Sequence, residues 1–369
     1  MKKIITFIAI VLILFGGVLF YQFKTGSDFL WGNYGQLFGS KSPKKEPCNL
    51  TPRPREFNHE PYYTGPLIDA HLHLPTSSKI VSVVSTKIGK STPAWDKDLS
   101  LHYLNCLFGT EGTIKAFGFH LITKYSASVE VKTAKEMEKK YPGKIAHFLM
   151  PTMVSPWINP DIKTLKNILE KNPGLFVGLG ELKMFDGKNP DDPYLLDLYE
   201  LAKKYNLIVM MHPFDHHKKI VEKVVGKYPE VKFLFHGIHG EGGYNNNMEW
   251  VTSLIKNNPN VYYSVDHSLP IYGFKKEHIG KVVSEEELLP HIKTSFNSQF
   301  DEEIARWKTR IETYPDRFIG GGTDRWHLPQ FDPEMSALIN EFQRSVIGQL
   351  APKVQEKFAY KNAQKLLQR

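Results

Sequence analysis

Leu67-Ile68-Asp69-Ala70-His71-Leu72-His73 decides the fold. Leu67–Ala70 is a short, largely apolar run of the kind that forms a buried parallel strand, and two histidines follow it at a spacing of two. Strand side chains alternate, so His71 and His73 leave one face of the strand end and can present two imidazoles to one cation. Working outward, similar runs recur at Ile145–Met150, Leu175–Leu182, Leu207–Met211, Val231–Phe235, Val261–Val265 and Phe318–Gly322. Stretches of helical period separate most of them: Asp161–Lys171, Asp192–Tyr205, Lys218–Tyr228, Met248–Asn257 and Glu285–Tyr314. An eighth strand is expected between residues 78 and 123, where Ile80–Val84 and Ala116–Ile122 compete, and residues 333–369 read as closing helices. This alternation predicts an α/β fold, a (β/α)8 TIM barrel with C-terminal helices. A doubly wound open sheet is the alternative. No G-x-G-x-x-G follows the first strand, so dinucleotide binding has no support.

The chain has 15 histidines. His59, His102, His120, His147, His278 and His291 are scattered and read as structural or exposed. His216 and His217, beside Lys218 and Lys219, read as a solvated helix start. The informative ones stand directly after apolar runs: His71 and His73, then His212 after Met211, then His236 after Phe235. Glu181 ends the run Leu175–Gly180, where Gly178 and Gly180 allow a ligand to approach the backbone closely, and Asp324 follows Phe318–Thr323. In a parallel barrel every C-terminal strand end opens on one face. A lone H-x-H is weak, and a single strand-end aspartate is often a helix cap. Five strand ends carrying His, Glu or Asp converge on one cavity, and that coincidence points to a metal site.

Together these motifs resemble the amidohydrolase superfamily of metal-dependent hydrolases, and within it the amidohydrolase-related branch that also contains decarboxylases. The resemblance runs from Leu67 to Leu367. Ile68–His73 looks like the first-strand motif, Tyr141-Pro142-Gly143-Lys144 like the segment before the third strand, and Gly178–Glu181 like the fourth strand. Met211-His212 and Phe235-His236 match the histidines of the fifth and sixth strands, Gly322-Thr323-Asp324 the aspartate of the eighth, and Lys361-Asn362-Ala363 the terminal helix. The resemblance implies that His71, His73, Glu181, His212, His236 and Asp324 hold metal. With two ions, His71, His73 and Asp324 serve one, His212 and His236 the other, and Glu181 bridges. With one ion, His71, His73, His212 and Asp324 suffice. Lys183, two residues beyond Glu181 on the same strand face, is a second choice as a carboxylated ligand or an ion-pair partner. His239 could take the role of His236. Lys183, His239, Arg325 and Trp326 are the candidate substrate contacts.

Imidazole and carboxylate without thiolate suit zinc, with manganese or iron as lesser fits. A bound divalent cation brings the pKa of its water towards neutrality. The expected chemistry is hydrolysis of an ester, lactone, amide or related bond in a small molecule, with Asp324 moving the proton and His236 orienting water or substrate oxygen. Non-oxidative decarboxylation on the same fold is the runner-up. A TatD-like nuclease and a non-catalytic metal-binding module are further alternatives, and a homodimer is left open. The segment after His73 is long for such a connection, so Trp95, Tyr103 and Phe108 form either a lid or simply the second strand and its helix. Asn245-Asn246-Asn247 with Gly242-Gly243 is another candidate mobile loop.

The N-terminus carries a different signal. Ile4–Phe23 is 20 residues without charge, flanked by Lys2, Lys3 and Lys24. As a helix it would span about 30 Å, the thickness of a bilayer core. Residues 1–23 therefore read as a single transmembrane anchor with the catalytic domain outside the cytoplasm; a cleaved signal peptide, giving a secreted or periplasmic enzyme, is the alternative. Residues 24–65 read as a proline-broken basic linker and residues 66–369 as the catalytic domain. The net charge is +8, and the first 65 residues hold eight basic and four acidic groups, so half the excess lies outside the barrel. The barrel is close to neutral, and no nucleic acid is expected. With 41% hydrophobic residues the chain can bury a large core, and two cysteines exclude a disulfide-built scaffold. Cys48 and Cys106 could form one bridge in an oxidising compartment.

Overall fold

The computed structural model describes residues 48–77, 94, 95, 99–153, 157–184, 188–237, 248–266 and 285–368. The apolar run Ile4–Phe23, the candidate strand Ile80–Val84, His239, His278 and the loop 242–247 lie outside the described residues. Among the described residues no helix is long and apolar enough to cross a membrane.

Eight parallel strands pair in chain order. They are β1 Leu67–His73, β2 Thr113–Ile122, β3 Ile145–Pro151, β4 Phe176–Lys183, β5 Ile208–His212, β6 Lys232–Phe235, β7 Val261–Asp266 and β8 Phe318–Gly322. Leu72 bridges Arg325 in parallel, and the Asp324 and His73 amides donate to His71 O at 2.8 Å and Arg325 O at 3.1 Å, bringing the end of β8 back onto β1. This order excludes the doubly wound sheet, whose strands are not sequential. The eighth strand is the Ala116–Ile122 candidate, extended at its start to Thr113.

Between the strands run α1 Leu101–Glu111, α2 Ala127–Lys140, α3 Ile162–Lys171, α4 Pro193–Tyr205, α5 Lys218–Lys227, α6 Met248–Asn257 and α7 Glu285–Thr313. The chain closes with α8 Pro333–Gly348, α9 Pro352–Glu356 and α10 Asn362–Leu367. Short polar side chains start several of them: Ser100 Oγ accepts from Tyr103 N, Asp161 from Thr164 N, and Asp332 from Glu334 N. Tyr103 and Phe108 belong to α1, which packs with Leu72, Leu74 and Phe331. They are part of the layer behind β1 and β2, and not a lid.

Alternation sorts the strands into an inner and an outer layer. Phe117, Phe119, Ala146, Phe148, Ile208, Met210, Leu234 and Ile319 form the interior cluster, while Leu149, Val209, Met211, Phe233, Phe235 and Val265 face the helices. Two strands break this rhythm. Ile68 and Ala70 point inward, so strict alternation would turn His71 and His73 out. A register shift between Asp69 and Leu72 reverses the phase: Leu72 joins the outer cluster and both histidines face in. β4 does the same between Leu179 and Leu182, where both leucines pack outward and Glu181 faces in. A bulge that re-aims a side chain is common beside active sites.

Residues 48–65 depart from the expected linker. They lie against the barrel, and the compact unit begins at Cys48 instead of residue 66. Cys48 and Cys106 form a disulfide. Glu341 on α8 accepts three consecutive backbone N–H groups, from Glu56, Phe57 and Asn58, at 2.7–2.8 Å. Phe57 stacks on Phe296 of α7, and Tyr63 is buried, its amide donating to Arg344 O. Proline removed the helix option as expected, but the freed amides found acceptors on the domain rather than water.

Candidate metal centre

The strand order brings the ends of β1, β4, β5, β6, β7 and β8 around one mouth. His71 Nε2 and His73 Nε2 are 3.1 Å apart. Asp324 Oδ1 lies 3.4 Å from the first and 3.2 Å from the second. Glu181 spans the mouth: its Oε2 is 3.4 Å from His73 Nε2, and its Oε1 is 2.7 Å from His212 Nδ1 and 2.8 Å from His236 Nε2. All six expected ligand residues therefore converge. His71 and His236 are almost wholly buried, whereas His73 and Asp324 keep 15% and 21% of their side-chain surface open, which gives the group one accessible side.

Asp324 has φ +45°, unusual for a residue with a side chain, and its amide is held by His71 O. Its carboxylate thereby turns into the mouth while the next residue turns away. Gly237 follows His236 at φ +72°, and a Cβ there would meet the His212 ring.

Burial and charge oppose one another throughout. Burial pushes Glu181 up, but the His236 charge 2.8 Å away and the hydrogen bond from His212 outweigh it and hold the carboxyl well below its ordinary value. Burial lowers His236, yet Glu181 and Asp266 overcome this and raise it to about 10. Burial takes His212 down to about 3, helped by the charge of Lys183. For Asp324 burial is again outweighed, by His71 and His73, and the carboxyl is lowered. At neutral pH the site thus offers ionised carboxylates and a neutral His212, the forms that bind cations.

The remaining expected residues divide. Lys183 ends β4, in register with His212. Trp326 is half-buried, its ring tilted at 35° against that of His327 with centroids 3.5 Å apart. Arg325 is not a substrate contact: it is fully buried, its guanidinium 2.5 Å from Glu111 Oε1 and 3.2 Å from Ser336 Oγ, between β8 and the helices α1 and α8. The turn that aims Asp324 inward sends Arg325 outward. His217 is buried as well and does not form a solvated helix start; its ring nitrogen accepts from Phe214 N at 3.1 Å.

Sequence reading missed Asp266 at the end of β7. Its Oδ2 accepts from His71 Nδ1 at 3.1 Å and stands 2.8 Å from His236 Nδ1. The signal was present, since Asp266 directly follows an apolar run just as His212 and His236 do. Asp69 was also missed. It lies beneath the histidines, accepting from His71 N, Thr323 N and Thr323 Oγ, and burial raises it to about 7 against those bonds and Arg325.

The family profile of the amidohydrolases matches residues 151–369. The chain belongs to the amidohydrolase family. It is accordingly an enzyme, a metal-dependent hydrolase or decarboxylase. Among solved structures it is similar to an amidohydrolase from Burkholderia multivorans with bound HEPES, at 12% identity, 82% coverage of this chain, 99% of that chain and a TM-score of 0.51. An Agrobacterium tumefaciens protein in apo form matches at 13% identity, 84% and 96% coverage and a TM-score of 0.51. A 5-carboxyvanillate decarboxylase from Novosphingobium aromaticivorans, complexed with manganese and 4-hydroxy-3-methoxy-5-nitrobenzoic acid, matches at 11% identity, 82% and 96% coverage and a TM-score of 0.50. Comparison with curated proteins returns no match. At these identities the structural likenesses speak for the fold.

The family's metal can be tested against the donor set. Donor atoms on a tetrahedral cation with bonds of about 2.0–2.1 Å stand roughly 3.3 Å apart. The triangle His71 Nε2, His73 Nε2 and Asp324 Oδ1 has edges of 3.1, 3.2 and 3.4 Å. Glu181 Oε2 adds a further oxygen at 3.4 Å from His73. These residues fit a divalent cation. The contacts of Glu181 with His212 and His236, at 2.7 and 2.8 Å, are closer and correspond to charge-assisted pairing.

Proposed function

We propose that this domain is a metal-dependent hydrolase that uses water to cleave an ester, lactone, amide or related bond of a small molecule. The observation that carries the reading is the His71–His73–Asp324 triangle beside an open mouth. His71, His73 and Asp324 would hold one cation, most fittingly zinc, with Glu181 as the neighbouring carboxylate. A second ion would use His212 and His236 across Glu181, and their existing bonds to Glu181 must open first. When bound, the metal supplies Lewis acidity and a water of near-neutral pKa.

The chain's own groups supply the rest. Asp324 reaches the open side of the mouth, takes a proton from the attacking water and returns it to the leaving group. With one ion bound, His236 donates from Nε2 to the substrate oxygen on which charge develops, and its position between Glu181 and Asp266 keeps that proton in place. Glu181 holds His212 and His236 to one oxygen, fixing the floor of the pocket. Lys183 and Trp326 remain the substrate-facing proposals.

Non-oxidative decarboxylation is the second reading, favoured by the likeness to the carboxyvanillate decarboxylase and needing the same cation to grip a carboxylate or phenol. One experiment separates the two. Turnover in 18O-water is expected to place the label in the product acid; release of carbon dioxide with no label in the remaining organic product would establish the second reading.

We further propose the N-terminal anchor and an extracytoplasmic catalytic domain. Ile4–Phe23 with Lys2 and Lys3 supports the anchor, and the Cys48–Cys106 disulfide suits an oxidising compartment. Protease treatment of intact cells should degrade the domain; full protection would count against this location.

A further inference from the structure

Asp266 sits behind the metal centre and touches two of its histidines with one oxygen. Oδ2 receives the His71 Nδ1 proton at 3.1 Å and faces His236 Nδ1 at 2.8 Å, the latter a close charge contact rather than an aligned hydrogen bond. Its other oxygen, Oδ1, accepts from Ser264 Oγ at 2.8 Å. The carboxylate is almost fully buried, and Gly322 of β8 leaves room for it, since a Cβ there would meet Oδ1. The two imidazoles it holds are packed edge to face, with centroids 4.2 Å apart and planes at 77°. Each ring turns Nδ1 to Asp266, His71 by a hydrogen bond and His236 by charge, and presents Nε2 to the mouth: His71 toward His73 and Asp324, His236 toward Glu181.

We propose that Asp266 is a positioning residue that sets both rings at once, so that cation capture through His71 and proton donation from His236 are linked through a single carboxylate. A histidine ligand is normally steadied by its own outer partner. Here one partner serves a candidate ligand and a candidate proton donor from different strands. Any movement of Asp266 must therefore turn both imidazoles. The proposal rests on the reading of His71 as a metal ligand.

The test uses the full chain and Asp266→Asn, which keeps the shape and one acceptor oxygen but removes the charge. Zinc affinity, measured by competition with a chromogenic chelator, should fall by about 10–100-fold, the usual cost of losing an outer partner. In metal-free protein, imidazole N–H resonances far downfield should include one that vanishes in His71→Gln and one that vanishes in His236→Gln. Both should move in Asp266→Asn. An affinity within about threefold of wild type, or movement of only one resonance, would overturn the proposal. If the wild-type chain takes up no zinc, the functional reading fails on its own, and the two resonances still decide whether Asp266 sets both rings. A circular-dichroism melt of Asp266→Asn guards against simple misfolding, and Asp266→Glu, if the first variant does not fold, retains the charge and should retain more affinity than Asp266→Ala.

Discussion

His71 Nε2 and His73 Nε2 point at each other across 3.1 Å, and the Asp324 carboxylate closes the triangle on its open side. Two imidazole lone pairs and an anionic oxygen at that spacing repel one another unless a proton or a cation lies between them. Metal should therefore stabilise the fold as well as support activity. Removal with a strong chelator is expected to abolish turnover and lower the melting temperature. Zinc or manganese should restore both, by about 4 kcal/mol when the free ion is 1,000 times its Kd. A melting temperature that ignores metal would speak against the triangle as a binding site.

Asp324→Asn keeps an oxygen near His71 and His73 but removes the proton acceptor. The variant should retain bound metal while turnover falls by roughly 10²–10⁴-fold, with little change in KM. Metal analysis and steady-state kinetics on the same sample read this directly.

The segment 48–65 should contribute to stability and not to catalysis. Its disulfide joins residues 58 apart, and Cys48→Ser/Cys106→Ser is expected to cost about 2–4 kcal/mol in denaturant unfolding. Glu341→Gln leaves the three strap amides without a charged acceptor and should cost about 1.5–3 kcal/mol. In both variants the turnover per folded molecule should stay at the wild-type level.

Outside the site, His120 on β2 and His147 on β3 are buried under α2, with His120 Nε2 2.9 Å from His147 Nδ1. Burial lowers His120 to about 3; burial and the neighbouring His120 take His147 to about 2. Unfolded histidines take up protons near pH 6.5, so below that pH the unfolded state binds more protons and stability falls as the medium becomes more acid. Each histidine adds up to about 1.4 kcal/mol per pH unit between about pH 3 and 6.5. Asp69, raised to about 7 by burial, acts in the opposite direction between about pH 4 and 7, so the comparison must be made by difference. His120→Gln/His147→Gln should show a shallower fall in unfolding free energy from pH 6.5 to 5 than wild type. Equal slopes would contradict the assignment.

How much of this was legible beforehand follows from the kind of signal each residue leaves. The barrel was readable because apolar runs alternate with helical period, and His212 and His236 were readable because they directly follow such runs. Asp266 obeys the same rule; ending the seventh run at Val265 stopped one residue short of it. The inward aim of His71, His73 and Glu181 was not derivable, because the phase reversals in β1 and β4 depend on pairing with neighbouring strands. Arg325 failed as a substrate contact for a related reason. Adjacent residues at a positive-φ turn leave in opposite directions, and proximity in sequence to Asp324 placed it on the wrong side. The segment 48–65 read as linker since its prolines and arginines signal solvation, whereas its acceptors, above all Glu341, lie nearly 300 residues away.

The most direct test of the central claim is the metal content of the purified full chain beside His71→Ala/His73→Ala. The wild-type protein should hold about one or two divalent ions per chain after dialysis, and the double variant should lose the tighter one while keeping its barrel circular-dichroism spectrum. Equal metal content in the folded variant and the wild type would show that the His71–His73–Asp324 triangle does not hold the cation.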